Sequence, residues 1–101
     1  NSMKIKSDVE IAIMTKPNLI GIAHANSEFE KRGIEMVITS LTDGKHREDS
    51  KHYDGDAFDV RRWNIPTPEF DDIVVSLQKR LGPDYDVVVE STHIHIEYHP
   101  K

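Results

Sequence analysis

Residues 67–98 read TPEFDDIVVSLQKRLGPDYDVVVESTHIHIEY, and the spacing of their apolar residues changes part-way along. The first half has one apolar stripe at helical spacing, formed by Phe70, Ile73, Val74, Leu77 and Leu81. Thr67 is the expected N-cap, Pro68 suits the first helical position and Gly82 the stop. The segments "YDVVVE" and "HIHIEY" that follow are typical of strands. This stretch therefore predicts a helix followed by two closing strands.

The remaining elements fit the same kind of domain. "KPNLIGIAHANSEFEKRG" predicts a helix in which Leu19, Ile22, Ala23 and Phe29 keep roughly helical spacing. "IEMVITS" predicts a strand. The opening "DVEIAIM" is ambiguous between strand and helix. This order indicates an α+β fold, with two helices packed on a small, mostly antiparallel sheet.

The segment "DAFDVRRW" predicts a short strand. Ala57 and Asp59 share one of its faces, and Phe58 and Val60 share the other, because side chains alternate along a strand.

The composition restricts the possible functions. The 101 residues, 37% of them hydrophobic, fit one domain spanning residues 1–101, in which Asn1 and Ser2 have the character of a cloning remnant. The net charge of −5 argues against nucleic-acid binding, and the absence of cysteine excludes thiolate metal sites. We find neither a signal peptide nor a membrane span in the sequence, and we expect a monomer.

Histidines are concentrated in two parts of the chain. Five of the six are His46, His52, His93, His95 and His99. In the first cluster Asp59 follows His52 by seven residues, and imidazole and carboxylate are both good zinc ligands. The second cluster offers a third imidazole. Three protein ligands and one water form a catalytic zinc site.

Each cluster also has an ordinary interpretation. A charged loop such as "DGKHRED" is more often solvated than functional, and a lone surface histidine such as His24 or His99 usually has no role. A non-metal α+β domain with coincidental histidines is therefore one alternative.

The segment "SKHYDGDAFD" resembles the Ser-x-His-x-x-Gly-x-Ala-x-Asp pattern of the D-alanyl-D-alanine metallopeptidases and of the related hedgehog signalling domains. The likeness to hedgehog domains is closer: it covers "DGKHREDSKHYDGDAFDV" and "ESTHIHI", with a helix and strand in the expected order between them. About two thirds of the chain is covered in this way. The resemblance implies a zinc site on a hedgehog/DD-peptidase-like fold.

The resemblance also implies roles for individual residues. His52 and Asp59 match the first two zinc ligands, and His95 matches the third. "HIEY" is also similar to the His-x-Glu ending of phage cell-wall peptidases, which again indicates His95. Glu90 resembles the general base, and His46 resembles a histidine that lines the hedgehog zinc site.

Spacing leaves the choice between His93 and His95 open. The two share one face of a strand, so one can bind zinc while the other lies close by. Glu90 precedes His95 by five residues, which in a regular strand is the opposite face, unless Ser91 and Thr92 form a bend. In the Glu-x-x-His spacing of several related peptidases, Glu90 would instead pair with His93. We favour His95 as the ligand and His93 as its neighbour.

The expected activity is zinc-dependent hydrolysis of peptidoglycan stem peptides, with D-Ala-D-Ala carboxypeptidase and endopeptidase action both open. Glu90 would be the base, and His46 and His93 would stabilise the oxyanion. The expected place of action is the cell wall or periplasm. The alternative is a zinc-stabilised binding module with little or no turnover, since hedgehog domains keep the metal centre yet act as ligands.

Overall fold

The computed structural model describes residues 3–9, 11, 14–41 and 54–101. The strands are β1 (Lys4–Ile5), β2 (Val37–Ser40), β3 (Ala57–Arg61), β4 (Tyr85–Val89) and β5 (His93–Tyr98), and the helices are α1 (Lys16–Lys31) and α2 (Thr67–Leu81). They form a five-stranded sheet in the order β1-β2-β3-β5-β4. Only the β1–β2 pair is parallel. The predicted α+β class, with two helices and a mostly antiparallel sheet, is confirmed.

Both helices pack on one face of the sheet. The core between them and the sheet includes Phe58 and Val60 from β3 and Ile94 and Ile96 from β5, each fully buried. The alternation predicted for β3 is confirmed, because Phe58 and Val60 point into this core. Ala57, Asp59 and Arg61 therefore lie on the opposite face of the sheet, which we call the open face.

Helix α2 follows the predicted pattern closely. Ile73, Leu77 and Leu81 are buried, and Phe70 and Val74 pack against the same core. Gly82 ends the helix at a φ of 89°, a left-handed conformation that favours glycine. The prediction of Thr67 as the N-cap is wrong by one residue, because Thr67 is already helical and Pro66 holds the cap position without a side-chain hydrogen bond.

Helix α1 buries a different stripe from the one predicted. Ile22 and Phe29 are in the core, but Leu19 and Ala23 are exposed. The buried face also contains two polar residues, Asn18 and Glu28. Asn18 Nδ2 donates to the Ala57 carbonyl at 3.0 Å, and Glu28 lies 3.4–3.7 Å from three basic side chains. Both polar groups can be buried because both are paired.

No single element was predicted for the residues that precede α1. β1 was not predicted, because a strand of two residues is too short to show periodicity. Three residues of "DVEIAIM" (Glu10, Ala12 and Ile13) lie outside the described residues, as does the whole segment 42–53.

Candidate metal centre

The candidate site lies on the open face, where β3 and β5 are neighbours. Their antiparallel register pairs Asp59 with His95 and Arg61 with His93. Directly paired residues project to the same face with Cβ atoms about 4.5–5.5 Å apart. The register therefore brings together Asp59, His93 and His95, three of the residues that the sequence singled out from segments more than thirty positions apart.

Asp59 and His95 form the tightest contact of this group. His95 Nδ1 lies 3.0 Å from Asp59 Oδ1. The Asp59 side chain is only 6% exposed and that of His95 is 19% exposed. A buried carboxylate is stable only when it is paired and hydrogen-bonded, and His95 contributes to this pairing.

His93 approaches the other oxygen of the same carboxylate. Its Nε2 lies 3.6 Å from Asp59 Oδ2, and its side chain is 31% exposed. Thr92 Oγ1 lies 3.0 Å from the other ring nitrogen, Nδ1. The two imidazoles therefore flank Asp59, and His95 is both closer to it and more deeply buried.

Asp59 and His95 have the chemistry and the spacing that two ligands of one zinc ion need. Two ligand atoms that each lie about 2.1 Å from a tetrahedral ion are about 3.4 Å apart. Asp59 Oδ1 lies 3.0 Å from His95 Nδ1, while His93 Nε2 approaches the other carboxylate oxygen, Oδ2, at 3.6 Å. Asp59 and one of the two imidazoles could therefore serve as two ligands of a zinc ion on the open face.

Glu97 is a member of the site that the sequence analysis did not assign. Its Oε1 lies 2.8 Å from His95 Nε2, on the side of the ring away from Asp59. Metal-binding histidines almost always donate their second ring N–H to a carboxylate, a carbonyl or water, and this partner fixes the orientation of the ring. The signal was present in "HIHIEY", because alternation places His93, His95 and Glu97 on one face.

Glu90 lies at the turn between β4 and β5. Its N–H donates to the His93 carbonyl at 2.9 Å, and its own carbonyl accepts from Arg62 Nη1 at 2.6 Å. The chain therefore reverses at Ser91 and Thr92, as the predicted bend requires. This reversal places Glu90 across from His93, one step beyond the Val89–Ile94 pair. By alternation along β4, Glu90 belongs to the open face.

Two predicted site residues cannot be placed. His46 and His52 lie in segment 42–53, outside the described residues. The predicted roles of His52 as a zinc ligand and of His46 at the oxyanion therefore remain predictions.

A second group of possible ligands lies further along the open face. Within the described ranges, Asp86, Glu97 and His99 are the three residues whose ligand atoms all fall within 4.8 Å of one another. Lys101 already donates to Asp86 Oδ1 at 3.0 Å, and His99 Nδ1 lies 3.2 Å from Asp86 Oδ2. The Lys101 ammonium offsets the charge of Asp86, and His99 Nδ1 also lies 3.8 Å from Glu97 Oε2, so we regard the group as a support for Glu97.

The two carboxylates raise the pKa of His95. Burial of the ring by itself lowers this pKa, but the hydrogen bonds with Asp59 and Glu97 outweigh burial, so that the pKa lies above its ordinary value of 6.5. The raised pKa favours the protonated ring in the metal-free protein, so zinc binding at His95 competes with a proton.

The raised pKa predicts how the stability of the metal-free protein depends on pH. A raised folded-state pKa gives a stabilisation that is complete below pH 6.5 and is lost as the pH rises through the folded value. We expect His95→Gln to destabilise the chelator-treated protein more at pH 5.5 than at pH 8.5. Urea unfolding of both proteins at each pH measures this difference. An equal cost at both pH values would contradict the charge assignment.

Glu97 is expected to strengthen zinc binding through His95. We predict that Glu97→Ala weakens zinc affinity by about 10–100-fold, the usual effect of losing an outer carboxylate partner. Glu30→Ala is the matched control, because Glu30 is exposed on α1, on the other side of the sheet from His95, and its carboxylate accepts a hydrogen bond from Asn26. Competition with a zinc-sensitive dye gives both affinities. Equal losses in the two variants would assign the effect to surface charge alone.

The chain was compared with known proteins. No protein-family model matches it, and no curated protein matches it either.

In the described part of the chain, neither helix has the length and apolar character needed to cross a membrane.

Proposed function

We propose that this chain is a zinc-dependent peptidase that hydrolyses bonds in peptidoglycan stem peptides. The observation that carries the proposal is the placement of Asp59 between two imidazoles on the open face, with His95 at 3.0 Å and His93 at 3.6 Å. The substrate class comes from the resemblance to hedgehog domains and D-alanyl-D-alanine metallopeptidases. Asp59, His95 and His52 are the proposed ligands.

Zinc at this position would supply a Lewis acid that polarises the scissile carbonyl and lowers the pKa of a water molecule to about 7. Asp59 and His95 hold their ligand atoms on the same side of the sheet, and Glu97 keeps the His95 ring oriented. Glu90 takes the proton from the attacking water and returns it to the leaving amine. His93 and His46 donate hydrogen bonds from their ring N–H groups to the oxyanion.

The position of Glu90 supports this role. The turn at Ser91 and Thr92 brings Glu90 back beside His93, so the base and the imidazoles come from one hairpin. The hydrogen bond from Arg62 holds the Glu90 backbone in place. The backbone that carries the proposed base is therefore fixed beside His93.

The direct test is zinc-dependent hydrolysis. Purified muropeptides are incubated with zinc-loaded protein, and in parallel with protein treated with a chelator, and the products are followed by mass spectrometry. Loss of one D-alanine identifies a carboxypeptidase, and a cut within the stem identifies an endopeptidase. Intact muropeptides in the presence of one bound zinc per chain would overturn the proposal in favour of a zinc-stabilised binding module.

A further inference from the structure

An exposed tryptophan lies at the end of β3, next to the candidate metal centre. Trp63 is 75% exposed, more than any other large hydrophobic residue among those described. The guanidinium of Arg61 lies 4.7 Å from the centroid of its ring. Such a cation–π contact orients an arginine without neutralising its charge.

The neighbouring Arg62 is held in a similar way. Its guanidinium lies 4.2 Å from the centroid of the Phe70 ring and donates to the Glu90 carbonyl at 2.6 Å. Within the described ranges, no carboxylate lies within the 4.0 Å salt-bridge distance of Arg61 or Arg62. In a chain with a net charge of −5, Arg61 forms a positively charged region on the open face, while Arg62 packs on Phe70 of α2.

This positive region lies one step from the proposed zinc ligands. Arg61 is paired with His93 in the sheet register, directly beside the pair formed by Asp59 and His95. Arg62 reaches the turn that carries Glu90.

We infer that Arg61, oriented by Trp63, forms a binding site for a carboxylate of the peptide whose scissile bond lies over Asp59 and His95. This inference rests on the proposed function. The guanidinium matches a carboxylate geometrically and can donate two parallel hydrogen bonds to it. A stem peptide offers two sources of this group: the C-terminal carboxylate and the free α-carboxylate of an isoglutamyl residue.

Binding can be measured separately from hydrolysis, because Trp63 is the one tryptophan in the chain. Its fluorescence is followed while zinc-loaded protein is titrated with a synthetic stem pentapeptide that ends in D-Ala-D-Ala. The same titration is made with the C-terminal amide of this peptide and with a form that contains isoglutamine. Mass spectrometry of each sample shows whether the peptide stays intact, and Glu90→Ala protein is titrated in parallel.

We expect the pentapeptide to bind at least about tenfold more tightly than one of the two amidated forms, since a charge-assisted pair is lost in that form. The amide that binds weakly identifies which carboxylate is held. Arg61→Gln should remove this discrimination, and Arg61→Lys should restore part of it because the charge returns without the planar fork. Lys79→Gln, which removes one exposed positive charge at the other end of α2, should keep the discrimination.

Equal affinity for all three peptides, or unchanged discrimination in Arg61→Gln, would overturn the inference. Mass spectrometry measures hydrolysis of the peptide independently of this difference in affinity. If the pentapeptide stays intact with wild-type protein but Arg61-dependent discrimination is seen, the carboxylate site stands and the proposed hydrolysis fails.

Discussion

Glu90→Ala is expected to lower kcat for stem-peptide hydrolysis by about 10²–10⁴-fold, the range that a positioned general base contributes. Zinc should remain bound, because the ligands proposed here are Asp59, His95 and His52. The backbone of Glu90 makes the two hydrogen bonds that fix the turn, and an alanine retains both. The measurement is a steady-state rate with the same peptide for both proteins, with zinc content determined in each sample.

A matched control separates the base from a general effect of charge. Glu30 is exposed on α1, on the other side of the sheet from the open face, and its carboxylate accepts a hydrogen bond from Asn26. Glu30→Ala removes the same charge away from the site and should leave kcat unchanged. A Glu90→Ala protein that hydrolyses the peptide at the wild-type rate would remove Glu90 from the mechanism.

The second large effect is expected at His95. Loss of an outer partner of a zinc ligand costs about 10–100-fold in affinity. We predict that His95→Gln weakens zinc affinity by more than this, because the variant loses a direct ligand. His93→Gln should stay within the 10–100-fold range. The reason is that the His95 side chain is 19% exposed and has Glu97 on its second ring nitrogen, whereas that of His93 is 31% exposed.

Zinc affinity of both variants, measured by competition with a dye, decides between the two histidines. If His93→Gln has the larger effect, the Glu-x-x-His spacing gives the correct ligand and His95 becomes the neighbour. Circular dichroism of both metal-free variants checks that neither substitution has unfolded the domain. A similar small loss in both variants would show that neither imidazole binds zinc directly.

Local patterns predicted much of the fold. The stripe of α2 and its stop at Gly82 were readable because each depends on residues within one helix. The alternation of "HIHIEY" and "DAFD" likewise separated core residues from open-face residues. These features follow from the period of a helix or a strand, which the sequence displays directly.

Features that depend on distant contacts were not readable in the same way. Leu19 was expected in the stripe of α1, but the buried face contains Asn18 and Glu28, whose partners Ala57 and Arg80 are far along the chain. Hydrophobicity alone cannot predict a buried polar residue whose partner is supplied by the tertiary fold.

The candidate site also combines features that local patterns predict with features that depend on distant contacts. Alternation alone indicated that His93 and His95 share a face, but only the register between β3 and β5 places His95 opposite Asp59. The role of Glu97 also needed the structure, because its distance to His95 Nε2 distinguishes it from an ordinary surface glutamate. Pairing across strands is set by the whole sheet and is not encoded in either strand alone.

The most direct test of the zinc site is a crystal structure of the zinc-loaded protein, with anomalous diffraction recorded at the zinc edge. We predict one strong peak at about 2.0–2.2 Å from an oxygen of Asp59 and from Nδ1 of His95. A peak among Asp86, Glu97 and His99 instead, or no peak beside Asp59, would contradict it.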